Sequence, residues 1–254
     1  MPPPETHKKV SPKELELLKQ WIKEGARYAD PWTYKNPLKH PNPVVQAKDW
    51  PVNFVDHFIL SQLERATVSP SPDTDPVTLL RRLNFDLIGL PPTPADRDRF
   101  LRSLKSNPQI AIESEVDRLL KSPRFGERLA VYWLDLVRYA DTVGYHGDQD
   151  HNISPYRDYV IRAFNENMPF DRFTREQLAG DLLPNPAQQQ LVATGYNRLL
   201  QTTHEGGLQQ AEYRAIYQAD RVRNVSAVWM GATVGCAQCH DCLLYTSPSP
   251  RDRV

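Results

Sequence analysis

Outside one seven-residue window the chain has no cysteine: all three of its cysteines lie between Cys236 and Cys242. That excludes a framework of disulfides joining distant parts of the fold, and it confines thiol chemistry to a single place. Long apolar runs are missing too. No stretch of about 18 apolar residues occurs, so there is no candidate membrane span, and the opening MPPPETHKKV lacks the apolar segment of a signal peptide. Neither sign of charge is in excess. Thirty-one Lys and Arg balance 31 Asp and Glu, and no dense basic stripe is interleaved with aromatics, so nucleic acid is not an expected partner. Alternation of apolar and polar residues with period two is also absent, which removes the pattern of a half-buried strand.

What is present is a hydrophobic fraction of 40% in 254 residues, enough for a core in one large domain, or in a large domain with a small N-terminal piece. Twenty-three prolines are many, but most stand where helices begin. Ser11-Pro12-Lys13-Glu14 is a capping box followed by Leu15, Leu18 and Ile22 at helical spacing, with Gly25 as the stop. From Tyr28 to Pro51 prolines and aromatics follow one another without period, which predicts an extended linker packing its tryptophans on something. A helix carrying Phe54, Phe58, Ile59 and Leu63 comes next, then one capped by Asp75 that carries Leu79, Leu80, Leu83 and Leu87 and ends at Gly89. Thr93-Pro94 and Ser122-Pro123 open two more, and Ile112, Val116, Leu119 and Leu120 mark another between them. Further helices are expected over 155–167, 169–179, 187–199 and 209–230. The fold class is all-α, a multi-helix domain.

The pattern Cys236-Ala-Gln-Cys239-His240 has the spacing that attaches a c-type haem. Two thioether bonds fix the macrocycle, and the adjacent histidine, held by the same turn, supplies the proximal nitrogen to iron. Other readings of the residues remain: a reduced thiol pair beside an incidental histidine, or half of a zinc site, which needs about four ligands. A thioredoxin-type pair is weaker, because no βαβ pattern surrounds it.

Several phrases are specific to one family. RRLNFDLIGLPPTPADRDRF, SPRFGERLAVYWLDLVRYADTVGY, YRDYVIRAFNENMPFDRFTREQLAGDLLP, and EGG followed by DRVRNVSAVWMGATVGCAQCHD closely resemble the planctomycete cytochrome-c-associated domain of unknown function. That domain lies in large multidomain bacterial proteins, and the resemblance runs from about Trp50 to Asp241. It implies that residues 1–27 are the C-terminal remnant of an upstream cytochrome c-like domain, with Met1 an internal methionine rather than a start. Residues 28–51 would be linker and 52–241 the helical domain. Beyond Asp241 the family continues with a histidine, a lysine and an aromatic-Asp-Pro, whereas here Cys242 begins a string ending SPSPRDRV. That string resembles translated sequencing-adapter read-through, so residues 242–254 are expected to be a non-native tail on a fragment, with a downstream domain lost and Cys242 outside the site.

Other polar groups compete for attention. Asp135, Asp141, His146, Asp148, Asp150 and His151 crowd around a glycine-containing loop and form a candidate metal or acid–base site, although an Asp135/Arg138 pair beside Trp133 and Tyr139 reads better as architecture. Arg81, Arg82 and Asp86 are expected in helix ion pairs, and Phe85, Leu87 and Leu90 in the core. His204-Glu205-Gly206-Gly207 is a polar turn, with His204 a possible distal haem ligand and His146 after it. Met168 is expected to fill core. Met230 shares the haem-bearing segment, and the helix of about 22 residues after His204 spans about 33 Å, so an open sixth position is the leading expectation.

The expected function is therefore an extracytoplasmic protein binding haem c, with Cys236 and Cys239 as covalent anchors and His240 on the iron, serving electron transfer or redox sensing with a redox partner the sequence does not name. The expected location is the periplasm or cell envelope, with an export signal upstream. The alternative is a cell-envelope enzyme or binding module, with polysaccharide as the substrate class considered, in which CxxCH is not a working haem site.

Overall fold

The computed structural model describes residues 10–27, 35–145, 147–203 and 206–238, apart from the side chain of Cys236. The chain divides between Ser71 and Pro72 into two compact units. Among the described residues the elements are ten α-helices with three short 3₁₀ turns and no strand. The expected all-α class is what the molecule shows.

In the first unit, α1 (Pro12–Lys23) begins as its sequence dictates. The Ser11 hydroxyl accepts from the Glu14 N–H at 3.3 Å while the Glu14 carboxylate accepts from the Ser11 N–H at 2.7 Å. Gly25 follows its end at φ +95°, a conformation that costs glycine little. Residues 35–53 form no helix or strand, and α2 (Phe54–Arg65) is capped by Asn53. Glu64 ties that stretch to the helix by accepting from the N–H groups of Gln46 and Ala47 at 2.8 and 3.1 Å. Trp50 stays 39% exposed, so the expectation of packed linker tryptophans fails at this residue. The buried positions of α2 are Leu60 and Ser61, whereas Phe54 and Ile59 are exposed. Apolar residues occur all round this helix, so its sequence does not single out one face.

The second unit opens with α3 (Pro76–Ile88), α4 (Pro94–Leu104), α5 (Pro108–Leu120) and α6 (Pro123–Leu136). Each has proline in its first turn and a capping side chain, from Asp75, Thr93, Asn107 and Ser122 respectively. Gly89 closes α3 in the left-handed region. Leu90, just beyond it, is 41% exposed and not in the core, because it has left the packed helix. Arg81 makes no ion pair among the described residues and instead lies over the Phe85 ring at 4.8 Å. Between α4 and α5 the Glu115 carboxylate is buried and gripped by Arg118 at 2.6 Å and Arg99 at 3.1 Å. Burial pushes its pKa up, but the two guanidiniums outweigh that and hold it below the usual range.

Next come α7 (Ser154–Asn165), α8 (Phe170–Ala179), the short α9 (Gln188–Ala193) and the long α10 (Gln210–Met230). The helix expected over 187–199 changes at Thr194 into a 3₁₀ turn, Thr194–Arg198, where Gly195 lowers helix propensity. α6 and α7 approach closely at Gly126, where a Cβ would lie 2.3 Å from the Ile161 carbonyl oxygen. Asn165 fastens the crossing by accepting from the Gly126 N–H at 2.8 Å and donating to the Pro123 carbonyl at 3.0 Å.

The main core gathers Ala130, Val137, Tyr156, Tyr159, Val160 and Phe173, among others, from α6, α7 and α8. Met168 packs against it, as expected for a core filler. Aromatic edges meet faces here, with Trp133 5.0 Å from Trp229 and 4.9 Å from Phe173. Gln177, fully buried, accepts from the Tyr156 hydroxyl at 2.5 Å and the Trp133 indole at 3.1 Å. Glu176 accepts from Tyr159, Arg172 and Gln190. Burial raises the pKa of both Tyr156 and Tyr159.

Candidate functional site

Two places carry chemistry. The first is the end of α10. Gly231 caps that helix in the left-handed region, and the Ala232 N–H returns to the Ser226 carbonyl at 2.9 Å, so the chain turns back rather than running on. A 3₁₀ turn, Gly235–Gln238, follows. Gly235 packs against the Arg223 side chain, where a Cβ would come within 3.2 Å. The backbone of Cys236 lies in this turn, while Cys239, His240 and Cys242 fall outside the described residues. Met1, His146, His204 and residues 243–254 also fall outside them. Met230 is 60% exposed at the last residue of α10.

The described part of this segment is the turn Gly235–Gln238, which carries the backbone of the first of the two cysteines.

The second place is the loop between α6 and α7 with the strand-like stretch that follows the 3₁₀ turn at 194–198. Thr142 bridges Asp150, and Gly144 bridges Thr202. The carboxylates of the expected cluster scatter within this frame. Asp135 is exposed on α6. Asp141 accepts from the Tyr139 hydroxyl at 2.9 Å, and burial together with that bond pushes the Tyr139 phenol up to about 12. Asp148 accepts from the Gly144 N–H at 2.8 Å. Among the described residues no group of three or more His, Cys, Asp or Glu is placed to hold a metal. His151 and Asp150 instead line a cleft.

That cleft consists of two adjoining cavities of about 440 and 560 Å³, which share Val143, His151, Arg198 and Leu200. Arg138 stands on its wall but does not pair with Asp135. Its partner is Asp220 of α10, at 2.5 Å, and it donates a second bond to the Leu199 carbonyl at 2.9 Å. Arg138 and Asp220 are 82 residues apart, so no local pattern announces the pair. Arg198 and Arg221 of the same cleft are 23 residues apart, so no local spacing brings them together, although Arg221 stands within a family phrase.

The fold and these features define an all-α multi-helix domain with a cysteine turn after its last helix. Over residues 54–244 the chain matches the family PSCyt2, described as a protein of unknown function (DUF1549). It belongs to that family, the planctomycete cytochrome-c-associated domain its phrases resemble. No curated protein and no solved structure matches it.

Proposed function

We propose that this domain is a c-type haem protein of the bacterial periplasm or cell envelope, working in electron transfer or redox sensing within a larger multidomain protein. The observation that carries the reading is the Cys236-Ala-Gln-Cys239-His240 sequence, entered through the 3₁₀ turn Gly235–Gln238 immediately after α10. Cys236 and Cys239 are the covalent anchors and His240 the proximal ligand. Bound there, haem c would supply one-electron chemistry at iron. The chain's own contribution is to hold the anchoring turn at the end of a long helix, where Gly231 reverses the backbone and the returning segment lies against Arg223.

The location follows from the chemistry, because covalent haem attachment in bacteria takes place outside the cytoplasm. An upstream cytochrome c-like domain and a further downstream domain are the proposed neighbours, and the redox partner is open. Coexpression of the exported chain with cytochrome c maturation factors, followed by a reduced-minus-oxidised absorption spectrum, tests the reading. The expected result is a c-type spectrum that disappears in Cys236→Ser/Cys239→Ser and is unchanged in Cys242→Ser. The same spectrum in the double variant would overturn it.

A further inference from the structure

Three arginines converge on one short stretch of backbone in the cleft. Arg138 donates to the Leu199 carbonyl at 2.9 Å, and Arg221 donates through Nε to the Asn197 carbonyl at 3.2 Å. The residue between those two carbonyls is Arg198, exposed and lining both cavities. Like charges are thus gathered where only one of them is neutralised: Arg138 pairs with Asp220, whereas Arg198 and Arg221 form no ion pair among the described residues. Two exposed arginines on one cleft wall are a ready counter-charge for an anion that enters. Arginine forks match planar and tetrahedral oxyanions with paired hydrogen bonds.

Arg138 is placed by the end of α6: it takes the left-handed conformation that closes the helix, at φ +63°, and the Tyr139 N–H returns to the Leu134 carbonyl at 2.8 Å. One further acceptor points to more than a bare ion. Asp150 lines the cavity beside Arg198 and Arg221, whereas Asp220 is engaged by Arg138 through Oδ1 and its Oδ2 is buried away from the cleft. A carboxylate with spare acceptor capacity suits hydroxyl donors. The two volumes exceed what a bare oxyanion fills and lie within the range of small-molecule sites.

We propose that the cleft binds a small hydroxylated organic oxyanion, its carboxylate, sulfate or phosphate group held by Arg198 with Arg221, and a hydroxyl by Asp150. This site is separate from the haem-anchoring turn. Tyr217 and Arg221 line the cleft, whereas the turn packs on Arg223, and residues two apart on a helix project about 200° from each other.

The test is isothermal titration of the full chain with glucuronate, glucose 6-sulfate and glucose 6-phosphate, with uncharged glucose alongside. At least one acid binds, and whichever does identifies the oxyanion, while glucose does not. Arg198→Ala weakens that binding about ten- to hundredfold with an unchanged circular dichroism spectrum. Arg102→Ala, at an exposed α4 position, leaves it as it was. Binding of none of the three acids, equal binding of glucose, or wild-type affinity in Arg198→Ala would each overturn the proposal.

Discussion

The core around α6, α7 and α8 and the cysteine turn after α10 are built on opposite terms. In the core, Gln177 and Tyr156 are all but fully buried, and each hydrogen bond they make closes a polar group that water cannot reach. At the turn residues 231–235, 237 and 238 are exposed or half-buried, and their contacts include a bond from Ala232 to Ser226, one from Ala237 to Val234 and the approach of Gly235 to Arg223. Trp229 of α10 still packs on the core, and the exposed segment begins only after Gly231. If that segment tethers haem as proposed, the two regions are separable by mutation, the core governing stability and the turn haem attachment.

The hardest blow to the core is Gln177→Ala. It leaves the Tyr156 hydroxyl without its acceptor, removes one of two acceptors for the Trp133 indole and opens a cavity, for an expected loss of about 3 kcal/mol or more. Chemical denaturation reads that loss directly. Haem content per folded molecule stays unchanged, and a parallel fall in haem content would break the separation.

Gly126→Ala comes next. The new Cβ would meet the Ile161 carbonyl oxygen at 2.3 Å, backbone that cannot swing aside, so α6 and α7 must separate at a cost of about 1–3 kcal/mol. A thermal melt should show the loss. A variant as stable as the parent would mean that the crossing is looser than described.

Thr93→Ala is the smallest of the three. It removes the cap of α4, worth about 1 kcal/mol, and it also removes the bond that contributes most to lowering the pKa of Asp96 from 3.8 to about 2. A carboxyl whose folded pKa is depressed contributes stability that is present above its unfolded value and is lost as pH falls toward the folded one. For Asp96 that window runs from about 4 to about 2, and Glu115, also lowered, loses its contribution in the same acid direction. The variant should lose less stability than the parent across that window, since part of the acid-sensitive contribution is already gone. Identical acid-unfolding curves, offset by a constant, would show that the cap acts without Asp96.

Helix starts were legible in the sequence because capping is local. Ser11, Asp75, Thr93 and Ser122 each precede a proline and cap within three residues, and the resemblance that named the family rests on contiguous phrases. What stayed hidden depends on distance along the chain. Arg138 beside Asp135 reads as an i, i+3 pair, yet its partner is 82 residues away. The buried face of α2 was obscured by apolar residues on every side, and the arginine cleft has no spacing rule because Asn197, Leu199 and α10 meet only after folding. The Cys236–His240 pattern differs in that it occupies five consecutive residues, so it can be read without knowledge of the fold.

The most direct measurement is the intact mass of the denatured chain after export and coexpression with cytochrome c maturation factors. The account predicts a species heavier than the polypeptide by the mass of one haem, absent from Cys236→Ser/Cys239→Ser while that variant unfolds at the parent's temperature. A polypeptide of bare mass in the matured parent would contradict it.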